Sequence, residues 1–247
     1  MKKCSLFKLI LWFSVSLAVL SSKEVFAMHL SEGILPAKDA IGAGILALPF
    51  VIIGLKKIGK SKKENPLYFS MVGLLGAAVF VISAFPIPVP IAGTCSHPAG
   101  TGLSAIILGP FPSVVVAAVA LLIQALFMAH GGLTTLGANI LTMGICGSFC
   151  GYFTYKFAKK VGFSPFVSGF FAGVVADITT YAATAFVLAF SLSNDFVTAF
   201  LEIGLAFVPT QIPLSILEGV ITGFAVRYVF QNRPELLSHG RNMEVQI

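Results

Sequence analysis

Met28 and His29 become a metal chelator if the chain is cut after Ala27. Cleavage there would give Met28 a free α-amine next to a histidine. The amine nitrogen, the deprotonated amide nitrogen of His29 and an imidazole nitrogen of His29 can bind one metal ion through fused chelate rings. An α-amine ordinarily has a pKa of about 8 and imidazole one of about 6.5, so both offer lone pairs around neutral pH after modest proton loss. Three nitrogen donors in one plane leave the fourth position of a square-planar site for another ligand.

The first 27 residues have the pattern of a cleavable signal peptide. A basic start precedes an apolar stretch over residues 9–20, and Val25 and Ala27 occupy the −3 and −1 positions of a cleavage site. The alternative is an uncleaved anchor, but a helix needs about 20 apolar residues to cross a bilayer. We therefore predict a signal peptide over residues 1–27 and one membrane domain over residues 28–247.

His97 is the candidate for the fourth nitrogen ligand. It lies in a segment over residues 86–100 that is too rich in Pro and Gly for a regular helix and should lie on the outer side of the membrane. Four planar nitrogens favour Ni(II) or Cu(II) and are compatible with Co(II). Taken singly, His29 and His97 also fit ordinary surface and loop histidines; together with the cleavage site they indicate a metal site.

Other polar residues have more than one interpretation. His130 and Asn139 bound a Gly-rich segment, where they could support the metal ligands or line the entry, or could belong to a surface turn. Cys95 could supply a thiolate, although a small packing residue is favoured. Ionisable groups in apolar segments usually face protein or water. Asp177, Glu202 and Glu218 are such groups, and each could be a proton relay, a partner contact or a helix-end residue.

Composition places the chain in a membrane. Hydrophobic residues make up 57% of it, charged residues 11%, and the mean hydropathy is +0.94. Long apolar runs rich in Gly and Ala, with little period-2 alternation, favour an all-α helical bundle over a β-barrel. Removing the leader lowers the formal net charge from +6 to +3. The remaining cations lie in short loops, so they report topology and not nucleic-acid binding.

The apolar runs predict a polytopic bundle of about seven transmembrane segments in one domain. A basic inner loop is predicted over residues 56–63, and a short broken helix over 101–109 that reaches inward from a re-entrant outer loop. Pro209 and Pro213 predict a separate interfacial or partly inserted helix over 196–208. The mature N-terminus is predicted on the outer side of a bacterial cell membrane. The remaining spans are predicted at 37–55, 67–85, 113–129, 134–155, 166–190 and about 212–230.

Three ordered motifs resemble one family. They begin at Met28, Pro88 and Ala129 and read MHLSEGILP, PVPIAGTCSHPAGTG and AHGGLTTLGAN. Together they resemble CbiM and its nickel relative NikM, with CbiM the nearer, from Met28 to about residue 230. These are substrate-capture membrane subunits of energy-coupling factor transporters. The resemblance implies that Met28, His29 and His97 bind the ion. Many relatives begin directly at the Met-His pair, so the added leader would have to be removed to free the amine.

The resemblance also implies function and partners. It implies import of Co(II) for cobalamin biosynthesis, with a coupling transmembrane subunit (CbiQ-like), ATPase subunits (CbiO-like) and a small accessory membrane subunit (CbiN-like). No cofactor is implied beyond the transported ion. The sequence contains no GxxxxGK[ST] phosphate loop, so ATP hydrolysis would come from another chain. Alternatives are the same role for Ni(II), or a carrier or channel that needs no ATPase.

An enzyme is not expected. A metallohydrolase using His97 and His130 would need a general base, and the sequence has neither an HExxH motif nor a carboxylate near either histidine.

Overall fold

The computed structural model describes residues 29–84, 87–89, 94–234 and 236–237. For residues 66, 87–89, 94 and 95 it describes the backbone only. Met28 and the predicted signal peptide lie outside the described residues, as does the side chain of Cys95.

The described residues form helices and one small hairpin, which confirms the all-α polytopic membrane bundle. The segment Ile140–Gly147, within one of the long helices, is π-helical. The strands pair antiparallel, with Ile87 opposite Ser96. In chain order the elements are α1 (Ala37–Glu64), α2 (Pro66–Ser83), β1 (Ile87–Val89), β2 (Thr94–Ser96), α3 (Thr101–Leu108), α4 (Pro110–Phe127), α5 (Leu136–Val161), α6 (Pro165–Leu192) and α7 (Phe196–Asn232).

Five of these helices, α1, α4, α5, α6 and α7, are long and apolar enough to cross a membrane, and α2 is a shorter apolar helix. Large apolar side chains such as Ile45 of α1 and Leu205 of α7 are exposed on the outside of the bundle. In a membrane such side chains face lipid. The count of seven spans and the re-entrant character of the outer loop stay predictions.

The short helix α3 is enclosed by the rest of the bundle. All eight of its residues are buried. It ends where the sequence predicts, because Gly109 has a left-handed φ of +92° and Pro110 then begins α4. Its N-terminus lies directly after the loop that carries His97. The core continues through α4 and α5, where Val114, Leu121 and Met143 are buried in one apolar cluster.

The predicted break before residue 212 is wrong. α7 is one continuous helix of 37 residues with Pro209 and Pro213 inside it. Membrane helices tolerate proline where neighbouring helices and hydroxyl side chains compensate the interrupted backbone hydrogen bonds. Here Pro209 and Pro213 leave the carbonyls of Leu205 and Pro209 without their backbone donors, and the helix continues past both prolines.

Beyond its two prolines, α7 packs closely against α6. A Cβ on Gly173 would lie 3.0 Å from the Cα of Gly219, and one on Gly169 would lie 3.1 Å from the Cα of Gly223. These glycines let the two backbones approach closely, as small residues do between membrane helices.

The predicted basic loop over 56–63 is instead the end of α1, which continues to Glu64. Lysine is a good helix former, and cations are favourable near the C-terminus of a helix. Lys62 and Lys63 occupy that last turn.

We expect Gly137→Ala to destabilise the fold, because the new Cβ would overlap the Cα of Gly44 in α1. Neither backbone can move away without opening the contact between α1 and α5, so the free energy of unfolding should fall by about 1–3 kcal/mol. Thermal unfolding of the purified protein in detergent measures the change. Gly204→Ala is the control, since its Cβ would meet nothing within 4 Å. Equal stability of the two variants would contradict this packing.

Candidate metal centre

Three histidines from distant parts of the sequence meet in one buried cluster. His29, His97 and His130 are 2%, 0% and 6% exposed. Their ring centroids lie 4.9 Å apart for His29 and His97, 4.7 Å for His29 and His130, and 5.3 Å for His97 and His130. Each ring offers one ligand atom, and these atoms all lie within 4.8 Å of one another. We call these residues the histidine cluster; among the described residues it is the one group of this kind.

The hydrogen bonds of the cluster leave nitrogen lone pairs free for a cation. Nδ1 of His97 lies 2.8 Å from the carbonyl oxygen of Pro98, so this nitrogen carries the proton and Nε2 carries the lone pair. Nε2 of His97 and Nε2 of His130 are buried and have no hydrogen-bond partner. Buried polar atoms are rarely left without a partner, and a metal ion is a partner that neutral imidazoles can bind.

His29 has the complementary arrangement. Its Nε2 lies 2.8 Å from Oε1 of Gln124, which can only accept, so Nε2–H donates and Nδ1 keeps the lone pair. Nδ1 is the nitrogen that closes a six-membered chelate ring with the amide nitrogen of the same residue. The tautomer of His29 thus suits the chelate that the sequence predicts.

Burial keeps the three imidazoles neutral. Desolvation lowers the pKa of His29 well below its ordinary value, and the nearby His97 and His130 lower it further. Desolvation, with a contribution from His130, lowers the pKa of His97 to about 3. Desolvation lowers the pKa of His130 to about 4. Neutral imidazole is the form that binds a metal, so the cluster needs no proton loss from these rings at neutral pH.

Gln124 holds His29 in place. It is fully buried in α4, and its side-chain amide donates to Oγ of Ser83 at 2.8 Å. The Ser83 hydroxyl donates in turn to the carbonyl of Val79 at 2.7 Å. This chain of bonds fixes which way the Gln124 amide points, and therefore which nitrogen of His29 is protonated. Gln124 was not predicted from the sequence, although a glutamine within an apolar span is a signal that could have found it.

The N-terminal arm, residues 29–36, is bound by the segment that follows His130. Oδ1 of Asn139 accepts from the backbone amide of Leu30 at 2.8 Å, and Nδ2 of Asn139 donates to the Leu30 carbonyl at 3.3 Å. The Thr135 hydroxyl donates to the same carbonyl. Asn139 therefore lies beside the cluster and holds the peptide next to His29, while Thr135 was not predicted.

Two glycines make room for the arm. Gly131 has a left-handed φ of +85°, and a Cβ there would lie 2.7 Å from the Cβ of His29. A Cβ on Gly132 would lie 2.6 Å from the backbone of Glu32. The pair of glycines after His130 is thus explained by close approach of the arm.

The loop that carries His97 is held by α6 and α7. The backbone amide of His97 donates to the Tyr181 hydroxyl at 2.8 Å, and that hydroxyl donates to the His97 carbonyl at 2.9 Å. The carboxylate of Glu218 accepts from the amides of Ala99 at 2.5 Å and Gly100 at 2.9 Å. Glu218, whose role the sequence left open, therefore holds this loop by hydrogen bonds.

A second set of contacts begins at Ser96. Its hydroxyl donates to Oε1 of Gln211 at 2.8 Å, and the Gln211 amide donates to the Asp177 carboxyl. Asp177 is fully buried and interacts with Glu218. Of the three acidic residues noted in the sequence, Asp177 and Glu218 thus support the His97 loop, whereas Glu202 is exposed.

Proteins with similar sequences are described as cobalt transport proteins. Residues 29–236 match the family described as CbiM, cobalt uptake substrate-specific transmembrane region. A cobalt transport protein CbiM of Sorangium cellulosum is 51% identical over 212 residues, which cover 85% of this chain and 94% of that protein. One from Geobacter sulfurreducens is 47% identical over 223 residues, 90% of this chain, and this chain spans only 64% of that longer relative.

Two solved structures share the fold. The crystal structure of a transition metal transporter has a TM-score of 0.74 and 27% identity, covering 89% of this chain and 100% of that one. The crystal structure of a truncated transition metal transporter has a TM-score of 0.72 and 29% identity, covering 83% of this chain and 99% of that one.

We expect Gln124→Leu to weaken metal binding about 10–100-fold, the usual effect of removing a residue that orients a histidine ligand. Leucine cannot accept from Nε2–H, so the ring of His29 would lose its fixed orientation. Calorimetric titration of the purified protein with Ni(II) measures the affinity. Gln124→Glu, which keeps an acceptor oxygen, should reduce the affinity for Ni(II) less. Equal affinities for the two variants at equal thermal stability would show that the hydrogen bond is unimportant.

Proposed function

Because this chain belongs to the CbiM family and is a multi-pass membrane component of cobalt transport, not an enzyme, we propose that it captures Co(II) as the S component of an energy-coupling factor transporter. The observation that carries the proposal is the histidine cluster, whose unpartnered Nε2 atoms on His97 and His130 are buried beside the N-terminal arm. The ion taken up would supply cobalamin biosynthesis.

The proposed binding set has four nitrogens. Three come from one chelate: the α-amine of Met28 after signal cleavage, the amide nitrogen of His29, and Nδ1 of His29. The fourth is Nε2 of His97. Since His29 is buried in the cluster, the amine that cleavage would create is joined to the site through a single residue. Signal removal is therefore part of the proposal, with residues 1–27 as the leader.

Side-chain contacts support a site that is prepared before the ion arrives. Gln124 sets the tautomer of His29, and Pro98 sets that of His97. Tyr181 and Glu218 fix the backbone on both sides of Pro98. Ligands that are already oriented lose less conformational entropy on binding, which favours affinity.

Energy for transport would come from other chains. The sequence carries no phosphate-binding loop of the GxxxxGK[ST] type. We propose a coupling transmembrane subunit (CbiQ-like), ATPase subunits (CbiO-like) and a small accessory membrane subunit (CbiN-like) as partners. The mature N-terminus would face outward in the bacterial cell membrane, since the basic residues then lie almost entirely inside.

Nickel is the second candidate substrate. Planar nitrogen donors suit Ni(II) as well, and Ni(II) binds more strongly than Co(II) to most nitrogen sites. A competition titration of the purified protein with both ions would decide between them. A higher affinity for Ni(II), together with nickel uptake in cells, would show that the transported ion is Ni(II). The proposed binding site would stay the same.

We expect His29→Ala and His97→Ala each to reduce uptake of radioactive cobalt by at least about tenfold, because each removes a direct ligand. Uptake is measured in cells that express the transporter, with protein abundance in the membrane checked by immunoblot. Glu202→Gln is the control, since this exposed residue is not a member of the buried histidine cluster. Wild-type uptake by either histidine variant at normal abundance would overturn the proposal.

We expect Ala27→Phe, which places a bulky side chain at the −1 position, to block cleavage and abolish metal binding. Intact-mass analysis should show wild-type protein beginning at Met28 and the variant retaining its leader. A protein that keeps all 27 leader residues yet binds metal and imports it fully would show that the amine is not a ligand.

A further inference from the structure

We propose that Asp177 keeps its proton in the folded protein and donates it, as an O–H group, to the carboxylate of Glu218. The two side chains then carry one negative charge between them, and together they hold the loop on both sides of His97. The effect of this pair on metal affinity rests on the proposed function, whereas the position of the proton does not.

The first observation is that one oxygen of Asp177 has no donor. Oδ2 of Asp177 accepts from the side-chain amide of Gln211, whereas Oδ1 is buried and has no hydrogen-bond partner. The residue is fully buried in α6. Buried polar atoms are rarely left without a partner. A proton on Oδ1 turns this oxygen from an acceptor without a donor into a donor.

The second observation is what lies beside that carboxyl group. It is in hydrogen-bond contact with the carboxyl group of Glu218 in α7. Two ionised carboxylates can only accept, so they would repel each other and form no hydrogen bond. No lysine or arginine is among the buried side chains of the described residues, so none of these residues supplies a buried cation to compensate a second negative charge. One proton between the two groups replaces the repulsion by a hydrogen bond.

The third observation decides which of the two groups holds the proton. Oε2 of Glu218 accepts from the backbone amide of Ala99 at 2.5 Å, and Oε1 accepts from that of Gly100 at 2.9 Å. Hydrogen bonds from two amides favour the ionised form of a carboxyl group. An ionised carboxylate has about four lone-pair sites, so Glu218 can accept a third hydrogen bond. The negative charge therefore belongs to Glu218 and the proton to Asp177.

With this proton in place, the hydrogen bonds form a closed ring that includes both ends of the His97 loop. Ser96, just before His97, donates to Gln211 at 2.8 Å. Gln211 donates to Asp177, and the protonated Asp177 donates to Glu218. Glu218 accepts from the two amides that follow Pro98, and the backbone of the loop closes the ring. Without the proton, two acceptors face each other and the ring is open between α6 and α7.

The ring makes Asp177 a positioning residue for the His97 loop. It acts through Glu218 and Gln211 and needs no contact with an ion. Asparagine can replace it, because the side-chain oxygen of Asn can accept from Gln211 while its amide nitrogen donates to Glu218. Glutamine cannot replace Glu218, because its amide nitrogen would face a backbone N–H. The two acidic residues of one pair should therefore differ in their tolerance of the same chemical change.

Infrared difference spectroscopy of the purified full chain tests the proton directly. The wild-type spectrum minus that of Asp177→Asn at neutral pH should contain the C=O stretching band of a protonated carboxylic acid. Glu218→Gln should keep a band of this kind, since the proton belongs to Asp177. A wild-type protein without such a band, or a band that Asp177→Asn leaves in place, would overturn the inference.

Calorimetric titration with Ni(II) tests the positioning role. We expect Asp177→Asn to keep the affinity within about threefold, whereas Asp177→Leu and Glu218→Gln should each lower it about 10–100-fold. An Asp177→Asn protein that binds as weakly as Asp177→Leu would show that this position needs a carboxyl group, and the inference would fail. Thermal unfolding checks that each variant folds. If Asp177→Leu does not fold, the infrared spectra and Asp177→Asn still decide.

One further variant separates this inference from the proposed function. If His97→Ala binds Ni(II) as tightly as the wild type, the proposed metal site is wrong, and the infrared result on Asp177 is unaffected. If His97→Ala weakens binding but the wild-type spectrum has no band of a protonated acid, the metal site stands and the proton on Asp177 is wrong.

Discussion

Leu30, Ala99 and Gly100 carry backbone polar groups into the interior of an apolar bundle, where an unpaired amide or carbonyl costs free energy. Each finds a side-chain partner. Asn139 and Thr135 pair with both groups of Leu30, and Glu218 accepts from Ala99 and Gly100. These hydrogen bonds fix the two segments that carry His29 and His97 inside the bundle.

The same constraint explains the buried carboxyls. Asp177 and Glu218 would be costly in an apolar bundle without partners. Glu218 accepts from two amides of the His97 loop, and Oδ2 of Asp177 accepts from Gln211, which also accepts from Ser96. Two helices are therefore tied to the loop that carries His97. A shift of α7 along α6 would move that loop, which links the position of a membrane helix to the geometry of the histidine cluster.

The sequence predicted the class of fold and the histidines because their signals are local. Helical spans follow from apolar runs and the end of α3 follows from Gly109 and Pro110, while the role given to the Met-His pair rests on a predicted cleavage site. The continuous α7 was not predictable from Pro209 and Pro213 alone, because its close glycine contacts with α6 involve residues that are distant in sequence. Gln124 and Tyr181 were missed, since each acts on a histidine more than 80 positions away.

The N-terminal arm and the His97 loop each contribute a histidine to the cluster, and hydrogen bonds hold both segments to helices. Metal ions exchange simple nitrogen ligands quickly, but an ion held in the proposed site would lie among segments that hydrogen bonds fasten to Asn139 and Glu218. The time that such an ion stays bound would then depend on how often these hydrogen bonds open, and not only on the lability of the metal. Displacement of a helix by a proposed partner would open them, so release would follow a mechanical step.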